Sequence, residues 1–179
     1  MSKVQRLILR NQAAIMVNTA QKIRHLHWRA GFGLSPKEWL RKKDYSLQQA
    51  VDELFQNAET TLVYSMGYSG ISMAESSQKG KADRKTRQQI NRREKEARWM
   101  NRAFWLEQMA NDGWNDLNER MTFFWHGHFA CRSPHPQLSM QQLNTLRENA
   151  LGNFRTLVHA IAKDPAMIRF LNNQQNRKR

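Results

Sequence analysis

Cysteine is almost missing from this chain. Cys131 is the single one, so no disulfide can close within the chain and zinc sites built from several cysteines are excluded. Four prolines and eight glycines are too few for the many tight turns of a β-sandwich. No apolar run approaches the roughly 18 residues that a membrane span needs. The N-terminal stretch 1–18 is interrupted by Arg6, Arg10, Asn11 and Gln12. It has no continuous apolar segment of the kind a secretory signal requires, so a cytoplasmic location is the default expectation. Acidic residues are scarce as well, 15 against 29 Lys and Arg, which leaves a net charge of +14. Such an excess attracts phosphate, acidic protein or anionic lipid, and bears on partners rather than on fold.

What is present is bulky core material: six Trp, eight Phe and nine Met in 179 residues. That length suits one domain with or without an arm, burying roughly 70% of the surface its unfolded chain exposes. Apolar residues recur at helical spacing almost throughout, and no segment alternates as a strand does. The expected fold is all-α, an irregular multi-helix bundle of six or seven helices with a long loop near 60–82. Val4, Leu7, Ile8 and Ile15 predict a basic amphipathic N-terminal helix within 1–18, followed by a helical domain over 19–179. A second helix over 19–30 carries Ile23, Leu26, His27 and Ala30 on one stripe, and Gly31 stops it. Ser35-Pro36-Lys37-Glu38 starts a helix over 36–43 with a cap, a preset first position and a capping box. Ser46 with Gln49 predicts another over 47–57, with Leu47, Ala50, Val51, Leu54 and Phe55 facing inward.

A stretch with nine basic residues from Lys79 to Arg98 leads into one long helix over 84–111. Its basic start is expected to be solvated and its Trp-rich end buried. The segment 115–129 is apolar on every side, which predicts a central helix with Leu117, Met121, Phe124 and His128 on the buried face. Ser139 and Gln142 predict a cap for a single helix over 140–162, with Leu143, Leu146, Ala150, Phe154, Leu157 and Ile161 as its inner stripe. Asp164-Pro165 caps a last helix carrying Met167, Ile168 and Leu171.

Three stretches together resemble the bacterial domain-of-unknown-function 1800 family. His25-Leu26-His27-Trp28-Arg29-Ala30-Gly31-Phe32-Gly33 is similar to its opening motif. Glu119 through Phe129, with Trp125-His126-Gly127-His128-Phe129 at its end, resembles its W-H-x-H-F helix. Leu146 to Arg155, running on to Lys163-Asp164-Pro165-Ala166-Met167, matches its third motif. The resemblance implies a larger domain in which an acidic, Asn- and Glu-rich motif and further helices follow. On that reading the chain is the incomplete front part of the domain, and a protein partner or the missing C-terminal segment covers its last long helix. Many members of the family are exported.

Two His-x-His pairs stand out, His25/His27 and His126/His128. Imidazole is the commonest metal ligand, so a divalent metal at His126 and His128 is one reading. Residues two apart on a helix point about 200° apart, so buried, hydrogen-bonded structural histidines are the other. His128 is then expected on the inner side and His126 opposite. A polar site made from His126, His128, Arg147, Glu148, Asn153 and Arg155 is the candidate for ligand or partner contact. Glu148, Gly152, Arg155 and His159 are expected on one helical face, where Gly152 permits close approach. The basic helix over 84–102 could also bind nucleic acid weakly and without sequence preference, by neutralising phosphates and stacking Trp99 and Trp105 on bases. Three functions therefore stand side by side. They are a helical binding or scaffold domain, an enzyme with a histidine-containing and metal-dependent site, and a non-specific nucleic-acid binder.

Overall fold

The computed structural model describes residues 5, 19–59, 71–110, 115–133 and 135–175. The N-terminal helix expected within 1–18 lies outside them, apart from Gln5. The described residues are helical, with no strand among them. No helix among them is long and apolar enough to cross a membrane. The chain divides into two compact units, Met1–Thr60 with Ala110–Arg120, and Thr61–Met109 with Met121–Arg179.

The first unit holds α1 (19–30), α2 (Pro36–Lys42), α3 (Leu47–Ala58) and the start of α6 (Asp116–His128). Ser35 Oγ accepts from the Glu38 amide and Pro36 opens α2. The Glu38 carboxylate does not turn back to close the expected box; it lies 3.5 Å from Lys42 Nζ and 3.6 Å from Arg41. Around Ser46 both halves of the capping box are formed. On α3 the inner face is Ala50, Leu54 and Ala58, while Phe55 and Leu47 are exposed.

The first family motif acts here. Gly31 and Gly33 amides both reach the His27 carbonyl, and Gly33 has φ +107°, a value that favours glycine. A Cβ on Gly31 would stand 2.9 Å from the Asp116 Cβ, so α1 ends pressed against α6. Arg120 lies over the Phe32 ring at 5.6 Å.

The second unit holds α4 (Met73–Ser77), α5 (Arg84–Ala110, all but its last residue), the end of α6, α7 (Pro136–Asn149), α8 (Phe154–Ala162) and α9 (Pro165–Phe170). Of the loop expected near 60–82, residues 60–70 lie outside the described part. The rest contains α4 and a 3-10 turn over Gln78–Gly80, because Ser72 and Glu75 form a full capping box. Instead of one helix over 140–162 there are two. Asn153 Oδ1 accepts from the Arg155 amide and starts a new helix, and Gly152 sits in the turn between them. Helix α7 also begins earlier than Ser139, at Pro136, whose fixed φ suits the first position. The core joins Leu146, Leu157, Ile161 and Met167, with Trp125, Phe129 and Cys131 packed against it. Trp125 Nε1 donates to the Ala150 carbonyl at 2.9 Å and its ring stacks on Phe154. The second and third family motifs are therefore the two sides of one core.

Two expectations about burial fail. The Trp-rich end of α5 is buried only in part: Phe104 and Trp105 pack on Met140 and Leu143, but Trp99 is 70% exposed and Leu106 63%. The buried positions of α5 are Ile90, Glu94 and Ala97. On α6 the buried residues are polar, Asp116, Asn118, Glu119 and Thr122, whereas Phe123 and Phe124 are exposed. An all-round apolar pattern does not identify which face turns inward, and here polar residues occupy it, Asp116 against Gly31.

Candidate functional site

Three elements of the second unit converge on a cleft. Helix α5 runs unbroken for 27 residues, so Asn91, Glu94, Lys95, Arg98, Asn101, Arg102 and Trp105, spaced by three and four, share one face. The last turn of α6 brings His126. Cys131, Arg132 and Ser133 come from the segment after it, and Ser139, Met140, Gln142 and Leu143 from α7. Asn101 Nδ2 donates to the Pro136 carbonyl at 3.4 Å and ties α5 to the start of α7.

The inner part of the cleft is a cavity of about 230 Å³ with Trp105, Met140 and Leu143 on its apolar side. These side chains belong to one packed cluster. The outer part, about 520 Å³, adds Lys79, Asn91, Glu94 and Lys95. Arg98, Arg102, Arg132 and Ser133 line both. Arg98 is 4.0 Å from Glu94. Arg102 and Arg132 are exposed and form no ion pair among the described residues. Gln142 is 3% exposed. Its Oε1 accepts from Cys131 Sγ at 2.9 Å, while its Nε2 is buried and has no hydrogen-bond partner among the described residues. A buried amide donor left unmet costs on the order of 1–3 kcal/mol, so this group is a natural contact for a ligand acceptor.

The outer wall is held by a second network. Ser76 Oγ donates to Glu94 Oε1 at 2.5 Å and lies 2.8 Å from His135 Nδ1. The single serine proton goes to the carboxylate, so the Nδ1 position must carry the imidazole proton. That leaves His135 Nε2 to accept from Arg169 at 3.4 Å. Lys79 Nζ donates to Glu94 Oε2 at 3.0 Å. Burial pushes the Glu94 pKa up, but the hydrogen bonds from Ser76 and Lys79 and the charges of Lys79 and Arg98 outweigh it and hold the carboxyl below its ordinary value. Burial and the Arg169 charge lower the His135 pKa. The carboxylate is thus fully engaged, and the cleft keeps its positive charge.

Of the sequence-predicted site residues, His126 alone lines this cavity. It is half-buried, edge-on to Trp105 at 5.1 Å, and burial lowers its pKa so that it is neutral at pH 7. His128 is exposed, 6.3 Å from the Phe124 ring and 5.0 Å from that of Phe129, which reverses the expected sides of the helix. Arg147 is buried within α7. Glu148, Asn153 and Arg155 are exposed around the α7–α8 turn, where Asn153 acts as a helix cap. Because that turn interrupts the helix, the face expected to join Glu148, Gly152, Arg155 and His159 does not exist. Of the other pair, His25 is exposed and His27 buried. No group of three or more His, Cys, Asp or Glu among the described residues is disposed to hold a metal ion. The Cys131 thiol is pushed up by burial, a protonated donor rather than a nucleophile.

Buried charge also gathers in the first unit. Lys42 is 1% exposed, 3.5 Å from Glu38 and 3.8 Å from Glu53, and Glu53 accepts from Arg41 at 2.7 Å. His27 is as deeply buried, and neither ring nitrogen has a hydrogen-bond partner among the described residues. Burial, then the Lys42 charge, lowers its pKa to about 4.

The arrangement of the three motifs has a counterpart in a family model. Residues 25–179 match the one described as "Protein of unknown function (DUF1800)". The chain belongs to this family. No curated protein and no solved structure matches it. The DUF1800 match spans both units, and its motif residues His27, Gly31, Gly33, Trp125, Phe129 and Asp164 are mostly packing and capping residues. The cleft residues Arg98, Arg102 and Gln142 lie outside the three motifs, and spacing along α5 was the only sequence signal for the two arginines.

Proposed function

We propose that this DUF1800 member is a binding module whose second unit takes an anionic ligand in the cleft between α5, the end of α6 and α7. One observation carries the reading. Arg98, Arg102 and Arg132 converge on a cavity whose wall holds the buried, unmet amide of Gln142. Guanidinium groups match phosphate and carboxylate oxygens in paired geometry, and the only carboxylate among the described residues of the cleft wall is engaged by Lys79 and Ser76. Neutral His126 at the wall would accept or donate a hydrogen bond to the same ligand. An enzymatic reading finds less support, since the Ser76 hydroxyl beside His135 gives its proton to Glu94 and no metal-ligand set occurs among the described residues. The test is thermal unfolding of the full chain in phosphate against chloride at equal ionic strength. A ligand at 100 times its dissociation constant stabilises by about 2.7 kcal/mol, so phosphate is expected to raise the midpoint by several degrees. Equal midpoints would remove the proposal.

A second reading, weak nucleic-acid binding, gains from the exposure of Trp99. This ring stands on α5 beside Arg92, Lys95 and Met100, free to stack on an unpaired base. Binding should then fall steeply with salt, and Trp99→Ala should weaken it for single strands while leaving phosphate binding in the cleft intact. For a protein partner, or a further segment of the family domain, the exposed Leu151, Phe154 and Val158 around α8 are the apolar surface to cover.

A further inference from the structure

Charge and shape in the cleft restrict the ligand further, and this step rests on the anion-binding reading. Arg102 and Arg132 carry no ion pair among the described residues, so two positive charges at the mouth await compensation. A phosphate monoester carries about −1.5 to −2 at pH 7; a carboxylate carries one charge. Behind the mouth the cavity is too large for phosphate alone and carries an apolar side. A cavity of about 150 Å³ lined by apolar side chains accepts benzene, and this one has about 230 Å³ with Trp105, Met140 and Leu143 on its apolar side. One aromatic ring with one small substituent fits. The Trp105 ring can receive it in an offset or edge arrangement. The unmet Nε2 of Gln142 then calls for an acceptor on that ring.

We infer that the cleft binds a phosphate monoester with a single-ring aromatic body bearing a hydrogen-bond acceptor. The phosphate lies at Arg102 and Arg132, the ring lies against Trp105 and Leu143, and the acceptor meets Gln142 Nε2. Binding involves no covalent step.

Calorimetric titration of the full chain with orthophosphate, phenyl phosphate, 4-acetylphenyl phosphate and benzoate tests this. Phenyl phosphate should bind about tenfold or more tighter than orthophosphate, since the ring's burial is favourable. The acetyl compound should bind tighter again, and benzoate more weakly than phenyl phosphate. Arg132→Gln, at an exposed position, should weaken all the phosphates about tenfold or more. Gln142→Met should erase the advantage of the acetyl group while phenyl phosphate still binds, which also shows that this variant is folded. If orthophosphate binds as tightly as phenyl phosphate, or benzoate as tightly as either, the aromatic monoester is wrong while the anion site stands. An acetyl preference that survives Gln142→Met would remove the role given to that amide. If none of the four binds, the anion-binding reading itself falls.

Discussion

His27 gives the sharpest residue-level prediction. Its pKa in the fold is about 4 against an ordinary 6.5, so the unfolded chain binds the proton more readily than the folded one. Stability is full above pH 6.5 and falls as the pH drops toward 4, by on the order of 2–3 kcal/mol. Chemical unfolding of His27→Leu should lose this slope and be no less stable at pH 7, because no hydrogen bond is broken among the described residues. An unchanged acid slope would show that other groups govern it. Lys42 is the opposite case. Replacing it with Met removes the buried cation and leaves Glu38 and the partly buried Glu53 with the half-exposed Arg41 alone, which costs up to about 3–5 kcal/mol. A loss under 1 kcal/mol in the same measurement would mean that water reaches the cluster. Gly31→Ala drives a methyl group against Asp116 and the His27 carbonyl, with a loss of about 1–3 kcal/mol.

Elements were legible where their signals were local. The capping box at Ser46 and Gln49, Pro36 at the start of α2, and Asp164 ahead of Pro165 each act on the backbone within three residues, and all three form. The break between α7 and α8 was hidden because Leu143, Leu146, Ala150, Leu157 and Ile161 keep helical spacing across it. All five are buried because the turn over 150–153 brings both helices to the same core. Asn153 following Gly152 was the available signal. On α6 the pattern misled, since its aromatic residues serve a neighbouring core at one edge and solvent at the other. The Trp125 contact with the Ala150 carbonyl joins two of these elements, and Trp125→Phe should cost about 1–2 kcal/mol by leaving that acceptor unmet. A neutral substitution in equilibrium unfolding would contradict that account of the joint.

At the scale of the molecule, half of the cleft could have been traced in advance. Arg98, Asn101, Arg102 and Trp105 follow the i, i+3, i+4, i+7 spacing of a single helical face, and so share a wall whatever packs against it. Arg132, Gln142 and His126 join them only through the packing of α6 and α7, which no local pattern encodes. The net charge of +14 pointed to anionic partners but not to where they bind, because most of α5's cations are solvated. The central claim is that anions bind at this one place rather than across the basic surface. Heteronuclear NMR of the full chain during a phosphate titration at 0.15 M salt tests it most directly. Saturable shifts confined to the Gln142 side-chain amide, the Trp105 indole, and the Arg98, Arg102 and Arg132 side chains are the predicted result. Small, unsaturable shifts spread over 84–95 and the rest of the basic surface would contradict it.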